Sequence, residues 1–354
     1  MSSVARTPRT SAAYIATGPK TSGSTGSSSI ATLSPTATIT GSLQNPEPGN
    51  PNPEARIFRM IETIHDMTGR VCLVTGATDG HGRAVAEALA AAGAELVLLG
   101  RNRQKCLAAQ NGIAEATGRK PDMLLCDLMN RTEVDRAADE FLASGRPLHL
   151  LVNNAGLVNL RRQVNAEGLE QTFAVNYLAT FQLTLRLFER LRESAPARIV
   201  NVSSDSYKIA KLELEDLQLE RRYSVSQAYA RSKLAILLFT LELARRIEGT
   251  GVTANAVDPG PVASNIAANN AGLLYSLVRP VIRSFFPSPA KAARTCLLIA
   301  TDPTLADSTG GYWRSRKRRD RPLARPDPQL AEGLWRESVV LTDADLPAGW
   351  RPKA

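Results

Sequence analysis

The sequence is poor in the residues that staple small proteins together or bind metals. Its four cysteines (Cys72, Cys106, Cys126, Cys296) are scattered over 354 residues with no CxxC pair. That pattern excludes a disulfide scaffold and a zinc ribbon and fits free thiols in a reducing compartment. The three histidines, His65, His81 and His149, lie far apart, so neither a three-histidine metal site nor an HExxH helix can be assembled. Long apolar runs are missing too. The longest uncharged stretch of interest, Pro259 to Val278, opens with Pro-Gly-Pro and contains Asn265, Asn269 and Asn270, which does not suit a membrane span of ~20 apolar residues. No charged end followed by an apolar run opens the chain, so no secretory signal is read. A cytoplasmic location is expected, with organellar targeting by the N-terminal segment left open.

The net charge is +9, unevenly placed. Residues 1–55 carry three basic and two acidic side chains, and Arg314–Arg325 carries seven basic residues against Asp320. A nucleic-acid binder is basic over a whole face, so no nucleic-acid partner is expected. The basic run reads as a solvated surface loop.

Thirty-one of the first 53 residues are Ser, Thr, Pro or Gly, and no acid precedes Glu47. Without apolar periodicity such a segment cannot bury a core, so residues 1–55 are expected to be a disordered tail. From Gly69 the pattern changes. Apolar, β-branched runs at Val71–Thr75, Glu95–Leu99, Met123–Cys126, Leu148–Val152, Arg198–Val202 and Val252–Val257 predict six strands. Helices are predicted between them near Arg83–Ala92, Gln104–Ala116, Glu133–Ala143, Gly168–Leu191 and Ser226–Arg246. Strands alternating with helices of this length make a parallel sheet. The expected fold is a single doubly wound α/β domain of the Rossmann type over residues 56–340, with a short C-terminal tail at 341–354.

Three sequence features carry chemistry. Thr75-Gly-Ala-Thr-Asp-Gly-His-Gly82 follows the first strand and opens a helix. Glycines there let the backbone approach a pyrophosphate, and the helix N-terminus faces the anion. Gly76, Thr78, Asp79, Gly80, His81 and Gly82 are therefore candidate cofactor contacts. At the end of the second strand an NAD site normally carries an acid for the ribose 2′-hydroxyl. This sequence has Gly100-Arg101. A guanidinium pairs with a 2′-phosphate, so NADP(H) is the expected cofactor, with NAD(H) left open. Tyr229-Ala-Arg-Ser-Lys233 falls on a helix, where positions four apart share a face. The Lys233 ammonium is expected to lower the Tyr229 phenol from its usual pKa of about 10 and fit it for proton transfer. Ser204 ends the preceding strand, where its hydroxyl reaches the same oxygen.

These motifs together resemble the short-chain dehydrogenase/reductase family over about residues 68–340. The ordered set is Thr75–Gly82, Cys126-Asp127-Leu128, Asn153-Asn154-Ala155-Gly156, Asn176, Val202-Ser203-Ser204, Tyr229–Lys233 and Pro259-Gly260-Pro261-Val262. The 25-residue separation of Ser204 and Tyr229, with Gly311-Tyr312 and Leu334-Trp335, is similar to the retinol-dehydrogenase-like and WW-domain-oxidoreductase-like branch. The resemblance implies that Tyr229 is the general acid or base. It implies that Lys233 tunes Tyr229 and binds the nicotinamide ribose, that Ser204 polarises the carbonyl, and that Asn176 holds a relaying water. Asp127 and Leu128 would meet the adenine, with Asn153, Ala155 and Gly156 on the ribose side. Pro259, Gly260 and Val262 would lie beside the nicotinamide and Ser264 near the pyrophosphate. Pairing into a homodimer or homotetramer is a further implication. His81 stands where the family usually has Ile or Leu, and Asp258 where relatives often carry another residue.

The segment Leu273, Leu274, Tyr275, Leu277, Val278, Val281, Ile282, Phe285 and Phe286 would cap the substrate cleft. An apolar cap suits a lipophilic carbonyl or alcohol, and Arg279 and Arg283 give it an edge able to meet a membrane surface. Two rival readings remain open. One is an NADP-binding interaction or sensor protein with little turnover. The other is a sugar-nucleotide epimerase or dehydratase, although those tend to carry TGxxGxxG where this chain has TGxxxGxG.

Overall fold

The computed structural model describes residues 64–260, 288–319, 327–347 and 350. The expected tail at 1–55, Val262, Ser264, the expected cap at 273–286 and the last part of the basic run lie outside the described residues.

The chain alternates strands and helices: β1 Val71–Thr75, α1 Gly80–Ala91, β2 Glu95–Gly100, α2 Arg103–Thr117, β3 Asp122–Leu125, α3 Arg131–Ala143 and β4 Leu150–Asn153. Then follow α4 Ala179–Glu193, β5 Ala197–Val202, α5 Val225–Arg246, β6 Val252–Asp258, α6 Pro289–Thr301, β7 Tyr312–Arg314, β8 Lys317–Arg318 and α7 Pro328–Thr342. The strands form one sheet in the order β3-β2-β1-β4-β5-β6-β7-β8. Every pairing is parallel except β7 with β8. This is a single Rossmann-like α/β domain. Its central strands are apolar along their length because helices cover both faces; all five residues of β1 are buried.

One core lies between the sheet and α3, α4, α5 and α7, the other between the sheet and α1, α2 and α6. Local chemistry sets the helix ends. Asn102 and Asn130 cap α2 and α3 by accepting from Lys105 and Glu133 amides, and Gly118, at φ 70°, ends α2 in the left-handed region that suits glycine. The strand order reverses between β1 and β4, which opens a crevice at the carboxyl ends of the strands.

The structure departs from the sequence expectation in three places. The helix expected over 168–191 begins as a single turn, Gln171–Phe173, capped by Glu170, and widens into a π turn at Ala174–Leu178 before α4. Secondly, two strands were not foreseen. β7 and β8 are three and two residues long, too short for an alternation pattern, and they occupy the start of the basic run. That start is thus strand and tight turn, though Arg316, Lys317, Arg318 and Arg319 are exposed. Thirdly, Trp350, which falls within the expected C-terminal tail, packs on the core. The Trp350 ring lies 4.5 Å from Phe188 and 5.9 Å from Trp335, and only 8% of Trp350 is exposed. Its carbonyl accepts from Arg246 at 2.8 Å. Among the described residues, no helix is long and apolar enough to cross a membrane, and no cluster of His, Cys, Asp and Glu is arranged to hold a metal ion.

Candidate active site

A cavity of about 680 Å³ occupies the crevice. One end is the β1–α1 turn. Gly76 and Gly80 adopt φ 65° and 56°, and Asp79 caps α1 by accepting from the Gly80 amide at 2.7 Å. The turn is locked to the segment after β4 by Asn154. Its amide donates to the carbonyls of Thr75 and Gly76 at 2.8 and 3.2 Å, and its oxygen pairs with His81 Nδ1 at 2.8 Å. Since both amide hydrogens of Asn154 point at carbonyls, His81 carries its proton on Nδ1. Burial, the largest influence, holds the His81 imidazole below its usual range, with Lys233 acting in the same sense. His81 is thus a neutral strut, a role a leucine at this position cannot fill.

Gly76, Thr78, Asp79, Gly80, His81 and Gly82 all line the cavity, as do Arg101, Asp127, Leu128, Ala155, Gly156, Pro259 and Gly260. The glycine turn, the N-terminus of α1 and the Arg101 corner suit a dinucleotide: a tight turn for phosphates, with a cation beside it. Lys105, in the first turn of α2, lines the same corner together with Asn102. Its place beside Arg101 was not read from the sequence, although a cation four residues on in a capped first turn was the available signal.

Asn153 is placed apart from the other candidates. It does not line the cavity but is 3% exposed, and its amide donates to Thr184 and Asn201 at 2.9 Å each. The alternation of a strand turns it into the α4–α5 side of the sheet, and its neighbour Asn154 takes the cavity side.

The other end of the cavity gathers Ser204, Tyr229 and Lys233. Ser204 leaves the end of β5 and caps the following turn by accepting from the Ser206 amide at 3.2 Å. Its hydroxyl lies near enough to the Tyr229 phenol to favour the ionised form. Ser203, the adjacent hydroxyl, is instead buried and donates to the Lys233 carbonyl at 2.8 Å, which leaves the half-buried Ser204 as the more accessible member of the pair. The Lys233 Nζ lies 5.5 Å from the Tyr229 ring centre and donates to the Val202 carbonyl at 2.9 Å.

Burial works against the expected lowering of the Tyr229 phenol. Burial, with the Asp258 carboxylate adding to it, pushes Tyr229 up to about 12 against the Ser204 hydroxyl. Burial pushes Lys233 down to about 8, and Asp258 opposes that shift. Lys233 gives a hydrogen bond to a carbonyl, and dehydration of the phenolate is the largest influence on Tyr229.

Asn176 sits in the π turn, a widening that frequently marks functional sites. It is fully buried. Its oxygen accepts from the Leu157 amide at 2.7 Å, and its amide donates to the Leu157 carbonyl and to Ser232 at 3.0 Å each. Gly156 is wedged between Asn176 and Lys233; a Cβ there would stand 3.3 Å from the Asn176 oxygen and 3.7 Å from Nζ. Asn176 therefore ties the Gly156–Leu157 turn to the helix that carries Tyr229 and Lys233.

The sequence profile of the short chain dehydrogenase family matches residues 70–272. Retinol dehydrogenase 12 of Mus musculus is 39% identical over 77% of this chain and 86% of its own length. Polyprenol dehydrogenase of Homo sapiens is 35% identical over 77% and 85%. Among solved structures, an uncharacterised protein from Mycobacterium paratuberculosis is 28% identical with a TM-score of 0.66 over 81% of this chain and 98% of its own. A chain described as an NAD(P)-dependent gluconate 5-dehydrogenase from Beutenbergia cavernae, with NADP bound, is 26% identical with a TM-score of 0.57 over 70% and 96%. The chain belongs to the short-chain dehydrogenase family, in its retinol-dehydrogenase-like part. It is an oxidoreductase that acts on alcohol or carbonyl groups with a nicotinamide dinucleotide.

Proposed function

We propose that the protein is an NADP(H)-dependent oxidoreductase for a lipophilic carbonyl or alcohol, with Ser204, Tyr229 and Lys233 as its catalytic residues and Asn176 behind them. The observation that carries this reading is the single cavity with the glycine turn and the Arg101–Lys105 corner at one end and the Ser204–Tyr229 pair at the other. The bound nicotinamide supplies or accepts the hydride.

The protein's own residues handle the oxygen and its proton. Ser204 and Tyr229 present two hydroxyls to one substrate oxygen, where negative charge develops during reduction. A phenol at about 12 holds its proton at neutral pH and is ready to donate it. Lys233, at about 8, is mostly charged there and offsets the phenolate left behind. Gly76, Thr78, Asp79, Gly80, His81 and Gly82 would hold the pyrophosphate side, Asp127 and Leu128 the adenine, and Ala155, Gly156, Pro259 and Gly260 the nicotinamide half. Arg101 and Lys105 would take the 2′-phosphate.

A lipophilic substrate is supported by Leu157, Val158, Val175 and Val202 in the cavity wall and by the retinol and polyprenol named for two relatives. The test is NADPH oxidation with retinaldehyde and aliphatic aldehydes. Tyr229→Phe should lose turnover by about 10³-fold or more while NADPH still quenches protein fluorescence at unchanged concentration. Normal turnover by that variant, or NADPH binding without turnover by the wild type across the panel, refutes the reading; the second result favours a sensor.

A further inference from the structure

The basic run contributes one residue that the reaction scheme above leaves without a part. Arg314 ends β7 and stands directly opposite Asp258, the last residue of β6. Its Nε lies 3.3 Å from Asp258 Oδ2, and its Nη1 pairs with Asp205 Oδ2. Asp205 is the residue after Ser204, and its amide donates to Asp258 Oδ2 at 3.2 Å. The Tyr312 hydroxyl donates to the other oxygen of Asp205 at 2.8 Å. Lys208 reaches Asp205 Oδ2 at 2.6 Å. Asp205, Asp258 and Arg314 all line the same cavity as Ser204, Tyr229 and Lys233.

We infer that Arg314 is a positioning residue: it clamps the turn carrying Ser204 to the end of β6 and offsets the Asp258 carboxylate, which lines the same cavity as Tyr229. Two carboxylates brought together beside a cavity repel unless a cation lies between them. A planar guanidinium meets both at once, which a point-like ammonium does less well. The clamp acts on catalysis through two routes. Mechanically, it fixes Asp205 and so the adjoining Ser204 hydroxyl. Electrostatically, it weakens a negative charge that disfavours the Tyr229 phenolate. The charged and titratable groups around this point are Asp205, Tyr207 and Lys208 on the turn, Tyr229 and Lys233 on α5, Asp258 on β6, and Tyr312 and Arg314 on β7. Burial holds the Asp258 carboxyl above its usual range, with the Gly260 amide, Tyr312, Lys208 and Lys233 opposing.

The electrostatic route rests on the proposed role of Tyr229; the mechanical route does not. The experiment therefore has two arms on full-length protein. Hydrogen–deuterium exchange of the 203–210 segment needs no turnover. Arg314→Met should speed it about tenfold, Arg314→Lys should restore part of the protection, and the β1–α1 segment should be unchanged. The second arm is the pH profile of retinol oxidation with NADP⁺. Arg314→Met should move the rising limb up by about one unit and lower kcat about tenfold with KM for NADP⁺ nearly unchanged. The double variant Arg314→Met/Asp258→Asn should return the limb to its wild-type position. Unchanged exchange at 203–210 overturns the clamp. A limb that stays put in an active enzyme, or one that Asp258→Asn does not return, overturns the electrostatic part. A wild type inert on retinol and the other alcohols refutes the proposed function and with it the electrostatic part, while the exchange arm still decides the clamp.

Discussion

Replacing Gly82 by alanine should damage both the fold and the cofactor site, and the structure gives the size of the effect. A Cβ at Gly82 would lie 2.5 Å from the Gly76 carbonyl oxygen and closer still to the Asn154 amide nitrogen. The carbonyl is backbone and cannot swing away. Asn154 moves only by giving up its donations to Thr75 and Gly76 and its pairing with His81. At about 1 kcal/mol per hydrogen bond, and with partial replacement by water, the cost is about 2 kcal/mol. In a domain of this size that lowers Tm by ~3–4 °C. The glycine turn is displaced with Asn154, so NADPH affinity should fall about tenfold or more. Gly112→Ala is the internal control. It lies inside α2, and its Cβ would meet only the tip of the Arg83 side chain, at 2.7 Å. That change should be neutral or stabilising by up to ~1 kcal/mol. Scanning fluorimetry with and without NADPH measures both. The reasoning is wrong if Gly82→Ala melts and binds like Gly112→Ala.

The other expectations concern specificity, packing and pH. Arg101→Asp should reduce the NADPH/NADH preference by about tenfold or more, with Lys105→Ala adding a smaller loss, read from kcat/KM with each coenzyme. Trp335→Ala should cost about 3–5 kcal/mol, because its ring meets Phe181 and Phe239 at 5.0 and 5.8 Å and carries the Arg246 guanidinium at 4.3 Å; chemical denaturation with an unshifted midpoint would contradict this. His81 is held below its unfolded value. The unfolded chain therefore binds more protons as pH falls through about 6.5, and stability is lost below that pH. His81→Asn should flatten the fall in Tm between pH 7 and 5.5, leaving the part due to His149, which burial also lowers.

Much of the fold was legible because each core strand is a short apolar run that needs cover on both faces. Six strands and the helices between them follow from that single pattern. The site was legible where chemistry restricts residue type: the glycine turn, the Tyr229–Lys233 spacing, and Arg101 where an acid would be diagnostic of NAD. It was not legible where a residue's role depends on which side it faces. Asn153 and Asn154 are chemically alike, and only strand alternation and the approach of α1 make the second the lock and the first a core amide. Similarly, nothing in the local sequence separates Arg314 from the five basic residues that follow it between 316 and 321.

The scarcity of Cys and His, the glycine turn and the Tyr-Lys spacing by themselves determined a nicotinamide-using α/β domain, since those constraints are local and each has one common solution. Tertiary structure alone decided the charge balance of the site. The high phenol of Tyr229 and the lowered ammonium of Lys233 come from burial, which depends on what packs above a residue and not on its neighbours in sequence. The pairing of Arg314 with Asp205 and Asp258 spans 109 residues in the first case. It exists only because β7 lies beside β6, a contact made by two strands too short to announce themselves.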